Sequence, residues 1–111
     1  MNVAAIDVNG RRVEVGAPAS PGDRVRVAIR PEDVTLLADG EALPVSSMRN
    51  HLEGVVAAVT PSAPHVRVVV DCGFPLVAAL TPRSVRELAL VPGVNVTAVF
   101  KASAAHLIPY R

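Results

Sequence analysis

Hydrophobic and polar residues alternate with a period of two along most of the chain, in short runs closed by Gly, Pro, Asn or Asp. Successive side chains of a strand point to opposite faces, so this pattern predicts antiparallel strands with one face buried. Strands are expected over 3–8 and 12–15, flanking Asn9-Gly10, a dipeptide suited to the left-handed positions of a tight hairpin. The run RVRVAIR at 24–30 puts Val25, Val27 and Ile29 on one face, with Arg24, Arg26 and Arg30 on the other. Further strands are expected over 53–60, 65–72, 75–80 and 95–101, the middle pair turning near Gly73. One short helix interrupts them at about 82–89. Thr81 suits its N-cap and Pro82 its first position, Val85 and Leu88 share a face, and Pro92-Gly93 ends it.

The stretch ADGEALPVSSMRN at 38–50 is turn-rich and polar and reads as a linker between two lobes. Comparing the chain with itself supports that division. PGDRVRVAIRPEDVTLL at 21–37 lies over PGVNVTAVFKASAAHLI at 92–108 without gaps, so that Ile29 meets Phe100, Arg30 meets Lys101 and Leu37 meets Ile108. Each copy reads as a turn, a strand, a basic residue and a short closing strand. The second copy completes a small β-barrel, whereas residues 1–40 form a partial copy that lacks its first strand. A partial barrel has an open edge, to be covered by the second lobe or by another chain.

Composition narrows the function classes. At 111 residues the chain suffices for one compact domain or two small lobes sharing a core, and is too short for a transport ATPase. A formal charge of +1 and an aromatic content of 3% disfavour nucleic acid as a partner, which calls for a basic surface and stacking platforms. The lone Cys72 excludes an internal disulfide and fits a reducing compartment, with a buried filler as its role. The N-terminus lacks a signal-peptide layout and no apolar run reaches the roughly 20 residues of a membrane span, so a soluble, cytoplasmic chain is expected. His51, His65 and His106 have no metal-ligand spacing, and no GxxxxGK[ST], GxSxG or GxGxxG occurs. No enzyme is expected.

Three clusters remain that would serve an anion. Ser46-Ser47-Met48-Arg49-Asn50 combines hydroxyls, backbone N–H groups and a guanidinium before a strand. Thr81-Pro82-Arg83-Ser84 offers the free N–H groups of a helix start. Lys101-Ala102-Ser103 ends a strand with an ammonium and a hydroxyl. A buried tetrahedral dianion needs several donors and few acceptors, and none of these clusters contains a carboxylate; along the sequence the nearest acids are Glu53 and Glu87. Each cluster also has an ordinary structural role open to it: a strand-opening turn, a helix cap, a solvated strand end.

SMRNHLEGVV at 47–56 and VVVDCGFPLVAALTPRSVRELALVPGVNVTAVFKASAAHLI at 68–108, with the spacing between them, resemble the Mop-type TOBE domain found at the C-terminus of molybdate-importer ATPases. VRVAIRPEDVTLL resembles the RPED-bearing segment of importer-ATPase regulatory domains, shared by sugar and anion importers alike. The resemblance implies an all-β, OB-like small barrel with one short helix over 41–111, and a partial TOBE lobe over 1–40. It implies molybdate or tungstate as bound ligand, held where barrels of a homo-oligomer meet, with the ATPase and permease subunits of an importer as further partners. By motif position Ser47, Met48 through its backbone, Arg49 and Asn50 would line one side of the anion, and Lys101, Ala102 and Ser103 the other, with Thr81 and Ser84 as lesser candidates. Met48 departs from the Ala common at its position. The competing expectation is a structural dimerisation or regulatory module of an importer ATPase that binds no small ligand.

Overall fold

The computed structural model describes residues 4–17, 19–22, 24–40, 42–43 and 45–109. The chain is built almost wholly of strands: β1 (Ala4–Val8), β2 (Arg11–Val15), β3 (Val25–Ile29), β4 (Thr35–Ala38), β5 (Asn50–Ser62), β6 (His65–Asp71), β7 (Pro75–Leu80), β8 (Asn95–Phe100) and β9 (Ala105–Pro109). One helix, α1 (Pro82–Glu87), joins β7 to β8. Two single 3-10 turns, Pro31–Asp33 and Ala102–Ala104, join β3 to β4 and β8 to β9.

Local chemistry accounts for these elements. Asn9 and Gly10 both have positive φ, at 49° and 84°, and close the β1–β2 hairpin with Val8 opposite Arg11. The Thr81 hydroxyl accepts the Ser84 N–H at 3.1 Å and Pro82 starts α1, as its cap sequence predicts. Strand β5 is longer than the alternation suggested, because its first residues from Asn50 pair with β8 while its later ones pair with β6. Its register slips between Val56 and Ala58. A β-bulge of this kind bends a strand and lets it serve two neighbours of a curled sheet. Gly54 lies just before the bend, where a Cβ would stand 2.7 Å from the Asp71 carbonyl oxygen, so the close approach of backbones there requires glycine.

The lobes expected from the sequence share their strands. The five-stranded sheet runs β4-β8-β5-β6-β7, so β4 of the first half edges the sheet of the second. Conversely, β9 of the second half pairs with β3 of the first. This exchange is symmetric. The constant offset that lays Pro21 on Pro92 carries the β3–β9 pair Arg26↔Ile108 onto the β8–β4 pair Thr97↔Leu37, and Val27↔Leu107 onto Ala98↔Leu36. The repeat read from the sequence is therefore a pair of interlocked strand–3-10–strand units. Their closing strands cross over, so that each covers an edge of the other unit.

The core is aliphatic apart from Phe100 and Cys72. Val13, Val15, Val56, Val68, Val70, Ala78, Val96, Ala98 and Phe100 are all buried, and Val13 and Val15 come from the β1–β2 hairpin of the first half. Both halves thus contribute to one hydrophobic interior.

Candidate functional site

The interlock brings the two 3-10 turns together. Thr35 pairs with Val99, so the residues just before β4 face those just after β8. A cleft of about 360 Å³ forms there, lined by Glu32, Asp33, Thr35, Met48, Lys101, Ser103 and Ala104. Lys101 precedes the second turn in extended conformation, and its carbonyl accepts the Ala104 N–H at 3.0 Å. The turn also satisfies the Ala105 N–H on the Ala102 carbonyl. A turn this short leaves its leading amides, those of Ala102 and Ser103, without partners of their own inside it. An ammonium, a hydroxyl and backbone donors therefore converge on one small surface.

The sequence candidates divide clearly. Met48, Lys101 and Ser103 share the cleft, and Ala102 lies in the turn that forms its wall. Ser47 and Arg49 are exposed beside it on the chain, in the irregular segment where the Met48 N–H donates to the Ser46 hydroxyl at 3.1 Å. Asn50 is buried, and its amide group is engaged elsewhere. Its Oδ1 accepts the Glu14 N–H at 2.8 Å and its Nδ2 donates to the Glu14 carbonyl at 2.9 Å. The side chain thus behaves as a piece of backbone, tying β2 to the start of β5. Thr81 and Ser84 do not line the cleft; their hydroxyls bond each other at 3.0 Å within the helix cap.

Glu32 and Asp33 are what the sequence reading missed. The expectation that no acid accompanies the candidate donors rested on distance along the chain, where Glu53 and Glu87 come closest. The β4–β8 pairing instead brings Glu32 and Asp33 of the RPED segment into the cleft that Lys101 lines. The one signal for it was the repeat itself, which aligns Glu32 with Ser103. One chain's cleft thus combines donors with two carboxylates that repel a dianion.

Two other features fix the surroundings. Arg11 donates from Nε to the Cys72 carbonyl at 2.9 Å and from Nη2 to the Glu53 carbonyl, clamping the hairpin onto β5 and β6. The Gly16 N–H donates to the Ala102 carbonyl at 3.0 Å, holding the second 3-10 turn against the end of β2. Cys72 is buried, its thiol donates to the Phe74 carbonyl at 3.4 Å, and desolvation, the largest influence on it, raises its pKa. The unfolded thiol ionises first as pH rises, so this residue's contribution is full below the unfolded pKa of about 8.5 and is lost progressively as pH rises from there through the raised native value. Native Cys72 is accordingly expected to react with a thiol reagent only through unfolding, and Cys72→Ala to reduce alkaline destabilisation above about pH 8.5. Reaction at the rate of a free thiol would contradict this burial.

Among the described residues no three His, Cys, Asp or Glu side chains gather as a metal site, and no helix is long and apolar enough to cross a membrane.

Comparison with known proteins agrees with this architecture. Residues 46–107 match the TOBE domain family. The chain is 35% identical over 107 residues to the molybdate/tungstate import ATP-binding protein WtpC of Pyrococcus horikoshii, covering 91% of the chain and 30% of that protein. It is 37% identical over 86 residues to the molybdenum-pterin-binding protein MopA of Rhodobacter capsulatus, covering 76% of the chain and 32% of that protein. It therefore spans about a third of the length of these relatives. Among solved structures, the molybdate-bound form of the cytoplasmic molybdate-binding protein ModG superposes with a TM-score of 0.76 at 26% identity, over 91% of this chain and 78% of that one. The interlocked β-sheets with one minor helix are of the OB-like kind expected from the sequence. On a family match that spans more than half its length, the chain belongs to the TOBE-domain family.

Proposed function

We propose that this chain is a non-catalytic molybdate- or tungstate-binding regulatory domain of the molybdate-import system. The observation that carries the proposal is the convergence of Lys101, Ser103 and Met48 on one cleft, within the TOBE-matched segment of a fold shared with a molybdate-bound protein. Lys101 supplies the charge, the Ser103 hydroxyl and the Ala102 and Ser103 amides supply directed donors, and Met48 closes the pocket. A tetrahedral oxyanion needs donors on more sides than one chain's cleft offers, and Glu32 and Asp33 oppose it. Ser47 and Arg49, exposed beside the cleft, complete the site when a second copy faces it. Binding is thereby coupled to assembly in the cytoplasm, and the assembled state reports the intracellular oxyanion to the ATPase and permease subunits.

Isothermal titration with molybdate, tungstate and sulfate tests the ligand. Heat is expected with molybdate or tungstate, together with stabilisation of about 2.7 kcal/mol at a hundredfold excess over the dissociation constant. Lys101→Ala is expected to weaken binding by about 10- to 100-fold, the worth of a hydrogen bond to a charged group. No heat and no thermal stabilisation with any of the anions would sink the proposal. The carboxylates in the cleft favour a second reading, a structural dimerisation module of an importer ATPase that binds no small ligand. It predicts a dimer whose size is independent of molybdate, so sedimentation with and without the anion separates the two.

A further inference from the structure

The two 3-10 turns that meet at the cleft have the same backbone and opposite chemistry. The repeat lays Arg30-Pro31-Glu32-Asp33 over Lys101-Ala102-Ser103-Ala104. Both turns start from an extended residue, Arg30 at φ −69° and ψ 134°, Lys101 at φ −73° and ψ 150°. Both close with the same bonds. The Asp33 N–H donates to the Arg30 carbonyl at 2.9 Å and the Ala104 N–H to the Lys101 carbonyl at 3.0 Å, while the Val34 and Ala105 N–H groups donate to the Pro31 and Ala102 carbonyls. The remaining groups differ. Where the second turn has the Ala102 amide, the first has Pro31, which lacks an N–H. Where the second has the Ser103 hydroxyl, the first has the Glu32 carboxylate, and Asp33 stands at the position of Ala104. Lys101, Glu32 and Asp33 all line the cleft, yet among the described residues no ion pair joins Lys101 to either acid. The cleft is therefore polarised: one turn supplies donors, the other supplies acceptors, and the two sets do not satisfy each other.

We infer that Glu32 and Asp33 are specificity-determining residues, which make this cleft take up a tetrahedral oxyanion together with one proton. The inference rests on the oxyanion reading proposed above and adds the part that the acids play in it. Lys101 brings one positive formal charge to the cleft and the two acids bring two negative ones, so a fully ionised dianion meets a site of its own sign. One proton removes the conflict. It comes from solvent, lies between an oxyanion oxygen and a carboxylate oxygen of Glu32 or Asp33 as a charge-assisted hydrogen bond, and returns to solvent when the anion leaves. The other oxyanion oxygens are left for Lys101, the Ser103 hydroxyl and the amides of the second turn. The ligand selected is an oxyanion basic enough to share a proton, as molybdate and tungstate are. Sulfate, a much weaker base, is rejected.

The charged groups on neighbouring elements set the controls. Arg30 precedes the first turn and Arg49 follows Met48. His51 lies one strand across from Thr35, both opposite Val99, and His106 on β9 pairs with Ala28. β2, packed on the second turn, carries Arg11, Arg12 and Glu14, whereas β7, packed on the first, carries no charged residue. Of these residue types only histidine ordinarily titrates near neutral pH. Isothermal titration of the full chain with molybdate, in buffers of different ionisation heat, counts the protons. About one proton per anion is expected, with affinity rising about tenfold for each unit that pH falls between about 8 and 6. Combining Glu32→Gln with Asp33→Asn should abolish the uptake, flatten the pH profile and admit sulfate, while His51→Gln and His106→Gln should leave the proton count unchanged. Both acids are exposed, so the double variant should keep the Tm of the anion-free chain. Binding without proton uptake would overturn the inference and leave the ligand standing. So would uptake that persists in the double variant or vanishes with either histidine, or a double variant that still excludes sulfate. No binding of molybdate or tungstate at any pH would instead sink the ligand reading, and this inference with it.

Discussion

Replacing Phe100 by alanine is expected to lower the unfolding free energy by about 3–5 kcal/mol, the range for truncating a buried aromatic. Phe100 is fully buried, pairs with Asn50 at the start of β5, and is the largest fully buried side chain. Its own strand β8 and its partner β5 are each held in ladders on both sides, so they have little freedom to collapse into the space left behind. For a domain of this size the loss corresponds to roughly 15–25 °C in Tm. Denaturant titration checks the magnitude, and an unchanged m-value would show that the native state has kept its compactness. Because Lys101 follows directly on Phe100, the variant should also loosen the cleft, and anion affinity should fall even though no ligand group has been removed. A loss below about 1 kcal/mol would mean that the site is not close-packed.

Asn50→Ala carries the second large effect, about 2–4 kcal/mol of stability. Removing the amide leaves the Glu14 N–H and carbonyl without the partners that join β2 to β5, and each unsatisfied group costs about 1–3 kcal/mol where water cannot replace the bond. Motif position alone assigns Asn50 to the anion, whereas the geometry assigns its side chain to the hairpin. The two roles give opposite signatures. A structural Asn50 lowers Tm equally with and without molybdate, and a ligand Asn50 lowers the anion-dependent part of Tm alone. Thermal unfolding of Asn50→Ala at zero and saturating molybdate distinguishes them, and an anion-dependent loss with the apo Tm intact would contradict the hydrogen bonds seen here.

Much of the fold is legible in the sequence because its cues are local. Asn9-Gly10 fixes a two-residue turn through its φ preferences, Thr81-Pro82 caps a helix through one hydroxyl and one missing donor, and alternation assigns Val13, Val15, Val68 and Val70 to a buried face. The extra residues of β5 were not legible. Asn50, His51 and Leu52 follow a polar, turn-rich segment, and they become strand only because β8 lies beside them.

The candidate site was legible only in part. Lys101 and Ser103 stand out by residue type, and Met48 by its place in a motif. Asn50 stands out equally well, yet its polar atoms are bonded to Glu14, which no spacing rule connects to it. Glu32 and Asp33 belong to the RPED segment of the first half, far along the chain from the donors whose cleft they share.

The sequence by itself determined the strands, the hairpins, the helix cap and the repeat, since each depends on interactions spanning a few residues or on the period of side-chain direction. Only the tertiary structure decided which copy each strand pairs with. Backbone ladders are indifferent to sequence, so nothing local tells β4 to join β8 rather than β3. From that exchange follow the meeting of the two 3-10 turns and the gathering of Glu32 and Asp33 with Lys101 in one cleft.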